Sequence, residues 1–92
     1  MTYLNSGEFL LACDIVKKLK TKPNNDELLI LYGLYKQATV GDNCNKEPGI
    51  FDFKAKEKHQ AWLKYKGLER YDSEVSYITN VNELISKYGV NK

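Results

Sequence analysis

Apolar side chains recur at three- and four-residue intervals along this 92-residue chain, and helix-stopping residues cut the pattern into four stretches. Phe9, Ala12, Cys13, Val16 and Leu19 make the first. Asn5, with Glu8 three residues later, reads as its capping box, and Pro23 forces its end because the residue before a proline leaves the helical region. A second stretch starts near Asn24 or Asn25, where Asn24 and Glu27 form another capping box, and it stops at Gly41. Asp42 to Phe51 is dense in Gly, Asp, Asn and Pro, which is turn chemistry. Asp52 caps a third helix over about Phe53 to Lys66, closed by Gly67, and a fourth runs from about Glu69 to Tyr88 with Gly89 as its stop. Its apolar face is read as Val75, Ile78, Val81, Ile85 and Tyr88. No strand pattern competes, so the expectation is an all-α four-helix bundle.

The length allows one domain with one modest core, taken here as residues 1–92 with a core of about 9–89. A net charge of +2 is too small for general nucleic-acid binding, so any anion must be met by local lysine clusters. Cys13 and Cys44 do not form a disulfide framework; a buried free thiol at 13 and an exposed one at 44 suit a reduced, cytoplasmic setting. The single histidine has no cysteine pair near it, so no metal site and no cofactor are expected. The segment before Lys17 lacks a basic start and a long apolar run, so no secretory signal is read there, and no stretch has the length of a membrane span.

The chemistry concentrates in Tyr32-Gly33-Leu34-Tyr35-Lys36, which places two tyrosines and a lysine on consecutive turns of one helix face. Two hydroxyl-bearing rings and an ammonium suit an aromatic, phosphorylated ligand; they also suit the edge of a core, with rings inward and tips wet.

Tyr35-Lys36-Gln37-Ala38-Thr39-Val40-Gly41-Asp42, followed by Pro48-Gly49, Asp52-Phe53-Lys54 and Ala61-Trp62, resembles the acyl-CoA-binding protein family. Phe9, Val16-Lys17, Lys22-Pro23, Lys66-Gly67, Tyr77-Ile78 and Lys87-Tyr88-Gly89 extend the likeness over nearly the whole chain. The resemblance implies an up-down-down-up bundle and a non-enzymatic protein that binds, buffers and transports fatty acyl-CoA esters inside cells. It also implies a monomer, and leaves room for transient contact with membranes or with acyl-CoA-using enzymes. On it, Tyr32 and Lys36 resemble the pair that meets the nucleotide 3′-phosphate, with Tyr35 beside them and Lys58 adding a second positive charge. Tyr77 resembles the tyrosine that packs by adenine and ribose, and Lys17 a first-helix ligand contact. Phe9, Ala12 and Leu29 become apolar neighbours of the acyl path. His59 stands where many family members carry a tryptophan along the tail; it is read either as a weaker tail contact or as a plain surface histidine. Leu68-Glu69 lacks the usual hydroxyl cap of the fourth helix, and Met1 to Gly7 reads as a tail. The competing reading is a small helical protein-interaction module whose tyrosines anchor a partner.

Overall fold

The computed structural model describes residues 3–91. It contains α1 (Gly7–Ile15), a 3-10 turn over Val16–Lys18, α2 (Asn25–Thr39), α3 (Phe53–Leu63) and α4 (Arg70–Tyr88).

Local chemistry explains most of the ends. Asn24 and Glu27 form the expected capping box, each side chain accepting the other's backbone N–H, at 2.8 and 2.9 Å. The Asp52 carboxylate accepts from the Ala55 N–H at 3.2 Å. Gly41, with φ of 99°, turns the chain out of α2, and Gly89, with φ of 76°, ends α4. Glu69 precedes α4 without a side-chain cap bond.

Three boundaries differ from the sequence reading. Ser6, not Asn5, caps α1, its hydroxyl accepting from the Phe9 N–H at 3.2 Å. Asn5 is drawn away because its amide donates to the Ala38 carbonyl at 3.0 Å and to the Glu74 carboxylate at 2.7 Å. The Ser6 N–H reaches the same carboxylate, so residues 5 and 6 are tied to the fold rather than forming a tail; Met1 and Thr2 lie outside the described residues. The last turn of α1 tightens at Val16, and Leu19 then pairs with Val90 in an isolated β-bridge, closed by Lys20 N–H to the Gly89 carbonyl at 2.9 Å. α3 stops at Leu63 and reaches Gly67 through successive turns, three residues short of the expected end at Lys66.

Long-range contacts fix the helix directions. Asn25 donates to Glu57 near the start of α3, while Gln37 near the end of α2 donates to the Leu68 carbonyl beyond α3, so α2 and α3 run parallel. Glu27 at the start of α2 meets Lys87 and Tyr88 at the end of α4, and Arg70 at the start of α4 donates to the Ala38 and Thr39 carbonyls, so those two helices are antiparallel. Glu74 holds the start of α1 against the start of α4, which makes those two parallel. The order is therefore up-down-down-up, and the long connection after Gly41 is what permits the parallel α2–α3 pair.

The core joins Phe9, Leu31, Leu34, Tyr77, Val81 and Leu84. Val75, expected inside, is 44% exposed, because α4 turns its Tyr77–Val81–Leu84 side to α1 and α2. α2 and α3 approach closely at Gly33: a Cβ there would sit 2.3 Å from the Ala61 carbonyl oxygen. Trp62 is buried, and its indole N–H donates to the Gly41 carbonyl at 2.7 Å. Gln37 and Asp42 lock the far ends of α2 and α3, since the Asp42 carboxylate accepts from both the Gln37 amide and the Gly67 N–H at 2.8 Å. Those donors, Gly67 first, hold the Asp42 carboxyl below the usual aspartate range.

Candidate functional site

One face of α2 carries Leu28, Leu31, Tyr32 and Tyr35, because residues three and four apart share a helix side. With Lys17 after α1 and Tyr77 on α4, this face lines a groove of about 430 Å³. Four of the residues singled out from the sequence, Lys17, Tyr32, Tyr35 and Tyr77, thus border one space. The other two are not among its lining residues; each lies over an aromatic ring across the α2–α3 pair. Lys58 Nζ lies 5.6 Å from the Tyr32 ring centroid, and Lys36 Nζ lies 4.9 Å from the Trp62 ring.

The tyrosines divide the work. Tyr32 turns toward α3 and Lys58, while Tyr35 turns toward α1 and α4. Tyr35 stacks over Phe9 at 6.0 Å between ring centroids and stays 42% exposed, so a ring face with a solid floor is available to a ligand. Tyr77 meets Phe9 edge-on at 5.0 Å. Burial, and secondarily neighbouring Cys13, pushes the Tyr77 phenol well above the usual tyrosine range, so at neutral pH it remains a hydrogen-bond donor. Burial likewise raises the Cys13 thiol, which keeps it a half-buried packing group.

The apolar neighbours are arranged differently from the sequence reading. Phe9 and Ala12 are buried in the core, and Phe9 has no exposed surface; it supports the tyrosine rings from below rather than lining a path. Leu29 projects to a different side of α2 from Leu28, into a separate α2–α3 groove of about 660 Å³ walled by Ile30, Phe53, Ala61 and Tyr65. His59 corrects the reading as a plain surface histidine: it is buried. Its Nδ1 lies 3.2 Å from the Asn43 amide, which also donates to the His59 carbonyl, so the imidazole anchors the loop after α2 onto α3.

Two wall residues of the tyrosine groove were not singled out from the sequence. Lys22 adds a second lysine to Lys17 in the groove wall, and Leu28 forms its apolar end. Lys22 precedes Pro23, a position that reads only as a helix exit, and the β-bridge at Leu19 is what folds it back beside Tyr32.

A bundle of four helices with parallel central helices, and a lysine-and-tyrosine groove lined by α2, α4 and the segment after α1, suits a binding domain for an anionic, ring-bearing ligand. The family model described as "Acyl CoA binding protein" matches residues 6–81, and the chain belongs to the acyl-CoA-binding protein family. It is 55% identical over 78 residues to acyl-CoA-binding protein homolog 1 of Caenorhabditis elegans, covering 85% of this chain and 91% of that protein. It is 55% identical over 73 residues to the acyl-CoA-binding protein of Saccharomyces cerevisiae, covering 79% and 84%. Among solved structures it is similar to Oryza sativa acyl-CoA-binding protein 2, with a TM-score of 0.83 and 39% identity over 87% of this chain and 89% of that one. The solution structure of the yeast acyl coenzyme A binding protein aligns with a TM-score of 0.73 and 49% identity, over 92% and 99% of the two chains.

Proposed function

We propose that this chain binds fatty acyl-CoA esters of medium and long chain length and carries them in the cytoplasm as a single-domain monomer, with no catalytic step. Membership of a family of binding proteins and the names of its relatives support the ligand class. The observation that supports the site is that Lys17, Tyr32, Tyr35 and Tyr77 line one groove, with Lys58 of α3 5.6 Å from the Tyr32 ring.

Each part of the ligand meets matching chemistry there. The exposed Tyr35 ring, backed by Phe9, offers a stacking face for adenine. Tyr77 offers a protonated hydroxyl to the ribose. Lys36 and Lys58 come from facing helices to the 3′-phosphate, and Lys17 and Lys22 offer charge to the pyrophosphate. The tail follows the exposed apolar surface of Leu28 at the groove's end, where each buried methylene contributes about 0.8 kcal/mol. The only histidine faces Asn43 inside the fold, which leaves no imidazole in the groove to act as a base.

The test is calorimetric titration of the purified chain with palmitoyl-CoA, coenzyme A and palmitate. Tight one-to-one binding of the thioester, with each half much weaker, supports a carrier that reads head and tail together. Absence of binding to all three overturns the reading.

A further inference from the structure

The sharpest conflict between local chemistry and exposure lies outside the tyrosine groove's lining, in the tight turn before α3. The Asp52 N–H donates to the Gly49 carbonyl at 3.0 Å, so Ile50 and Phe51 occupy the turn's two corner positions. Corners of tight turns ordinarily carry Gly, Asn, Asp or Ser. Here Ile50 is 69% and Phe51 85% exposed, and Phe53, one residue into α3, is 71% exposed. Three large apolar side chains within four positions, held out by a turn that Asp52 then caps, form a protruding apolar tip.

Charge around the tip favours an anionic surface. Lys46 and Lys54 flank it, both exposed and neither within ion-pair distance of a carboxylate among the described residues. The nearby acids are engaged: Asp52 caps α3, Glu47 pairs with Lys56 at 3.9 Å, and Glu57 accepts from Asn25. Because α2 and α3 run parallel, the turn sits at the same end of the bundle as Leu28, the apolar end of the tyrosine groove.

We infer that the Ile50–Phe51 turn inserts into the interfacial layer of an anionic phospholipid bilayer, with Lys46 and Lys54 against its headgroups. Docked this way, the protein presents the tail end of its groove to the membrane from which an amphiphilic ligand would be drawn; that delivery role rests on the acyl-CoA reading above, whereas the docking does not. Apolar side chains at a protruding loop with adjacent lysines match the chemistry of reversible interfacial anchoring.

The experiment uses the full chain and vesicles of phosphatidylcholine with and without phosphatidylserine. Three results are expected. The chain sediments with the anionic vesicles and less so at high salt. Ile50→Ser/Phe51→Ser partitions about tenfold more weakly, with helical content and palmitoyl-CoA affinity in vesicle-free solution unchanged. Phe51→Trp gives an emission shift to the blue on adding vesicles, readable because the natural Trp62 is buried. Failure to sediment, or equal partition of the double variant, overturns the inference. A blue shift of Phe51→Trp on concentrating the protein without vesicles means that a second copy covers the turn, and overturns it as well. Loss of palmitoyl-CoA binding by the unaltered chain bears on the carrier reading alone.

Discussion

Lys58 on α3 places its ammonium 5.6 Å from the Tyr32 ring centroid on α2, so the parallel helix pair is joined at the groove by a cation and an aromatic face. Lys36 mirrors it from α2 over Trp62 of α3. Both ammoniums remain able to donate to a phosphate. Lys36→Ala and Lys58→Ala are each expected to weaken palmitoyl-CoA binding about tenfold or more, since hydrogen bonds to charged groups contribute about 1.5–3 kcal/mol. The salt dependence of affinity should flatten in both. Calorimetry at two salt concentrations, with circular dichroism to confirm intact helices, checks this; unchanged affinity in both variants contradicts the site.

Gly33 sets the distance between α2 and α3. A Cβ there would lie 2.3 Å from the Ala61 carbonyl oxygen and 2.7 Å from the Tyr65 ring, and backbone cannot yield as a side-chain tip can. Gly33→Ala should destabilise the fold by about 1–3 kcal/mol. Gly49→Ala, with nothing within 4 Å, serves as the control. Equal urea midpoints for the two variants would contradict the close approach.

The acid limb of stability should report Glu27. Its carboxylate accepts from the Tyr88 hydroxyl at 2.6 Å, the Asn24 N–H at 2.9 Å and Lys87 Nζ at 3.0 Å. These bonds, Tyr88 first, lower its pKa from the usual 4.5 to about 2. The folded state therefore favours the ionised form. That stabilisation is complete above pH 4.5 and disappears as pH falls toward 2. Glu27→Gln should lower the melting temperature near neutral pH and flatten its decline across that window. A variant curve parallel to the wild type throughout would contradict the linkage.

Asn43 and His59 form a buried polar pair that fixes the loop after α2. His59→Phe leaves the Asn43 amide without its imidazole partner, at a cost of about 1–3 kcal/mol. Asn43→Leu/His59→Phe should recover most of that loss, because an apolar pair replaces both groups. Urea denaturation of the single and double variants measures the coupling; strictly additive losses would contradict it.

The helices were legible because their signals are local. Apolar spacing marks the four stretches, and Asn24, Gly41, Asp52 and Gly89 act within a turn of their own positions. What the sequence hid depends on distant partners. Asn5 forgoes its cap for Glu74, 69 residues away, and α1 tightens where Leu19 pairs with Val90. His59 is buried where it meets Asn43 from the loop after α2, and Leu29 and Leu28 part company because adjacent helical residues face different neighbours. The tyrosines and lysines of the groove could be named from the resemblance, but the support that Phe9 gives Tyr35 and the place of Lys22 beside Tyr32 required the three-dimensional arrangement.

The central claim is that one groove, lined by α2, α4 and the segment after α1, holds the charged head of the ligand. The most direct measurement is a titration of the isotopically labelled chain with palmitoyl-CoA, followed by amide chemical shifts in NMR spectra. The account predicts saturable one-to-one shifts concentrated at Lys17, Lys22, Tyr32, Tyr35, Lys36, Lys58 and Tyr77. Shifts clustered instead around Asn80, Glu83 and Lys87, or no shifts at all, would contradict it.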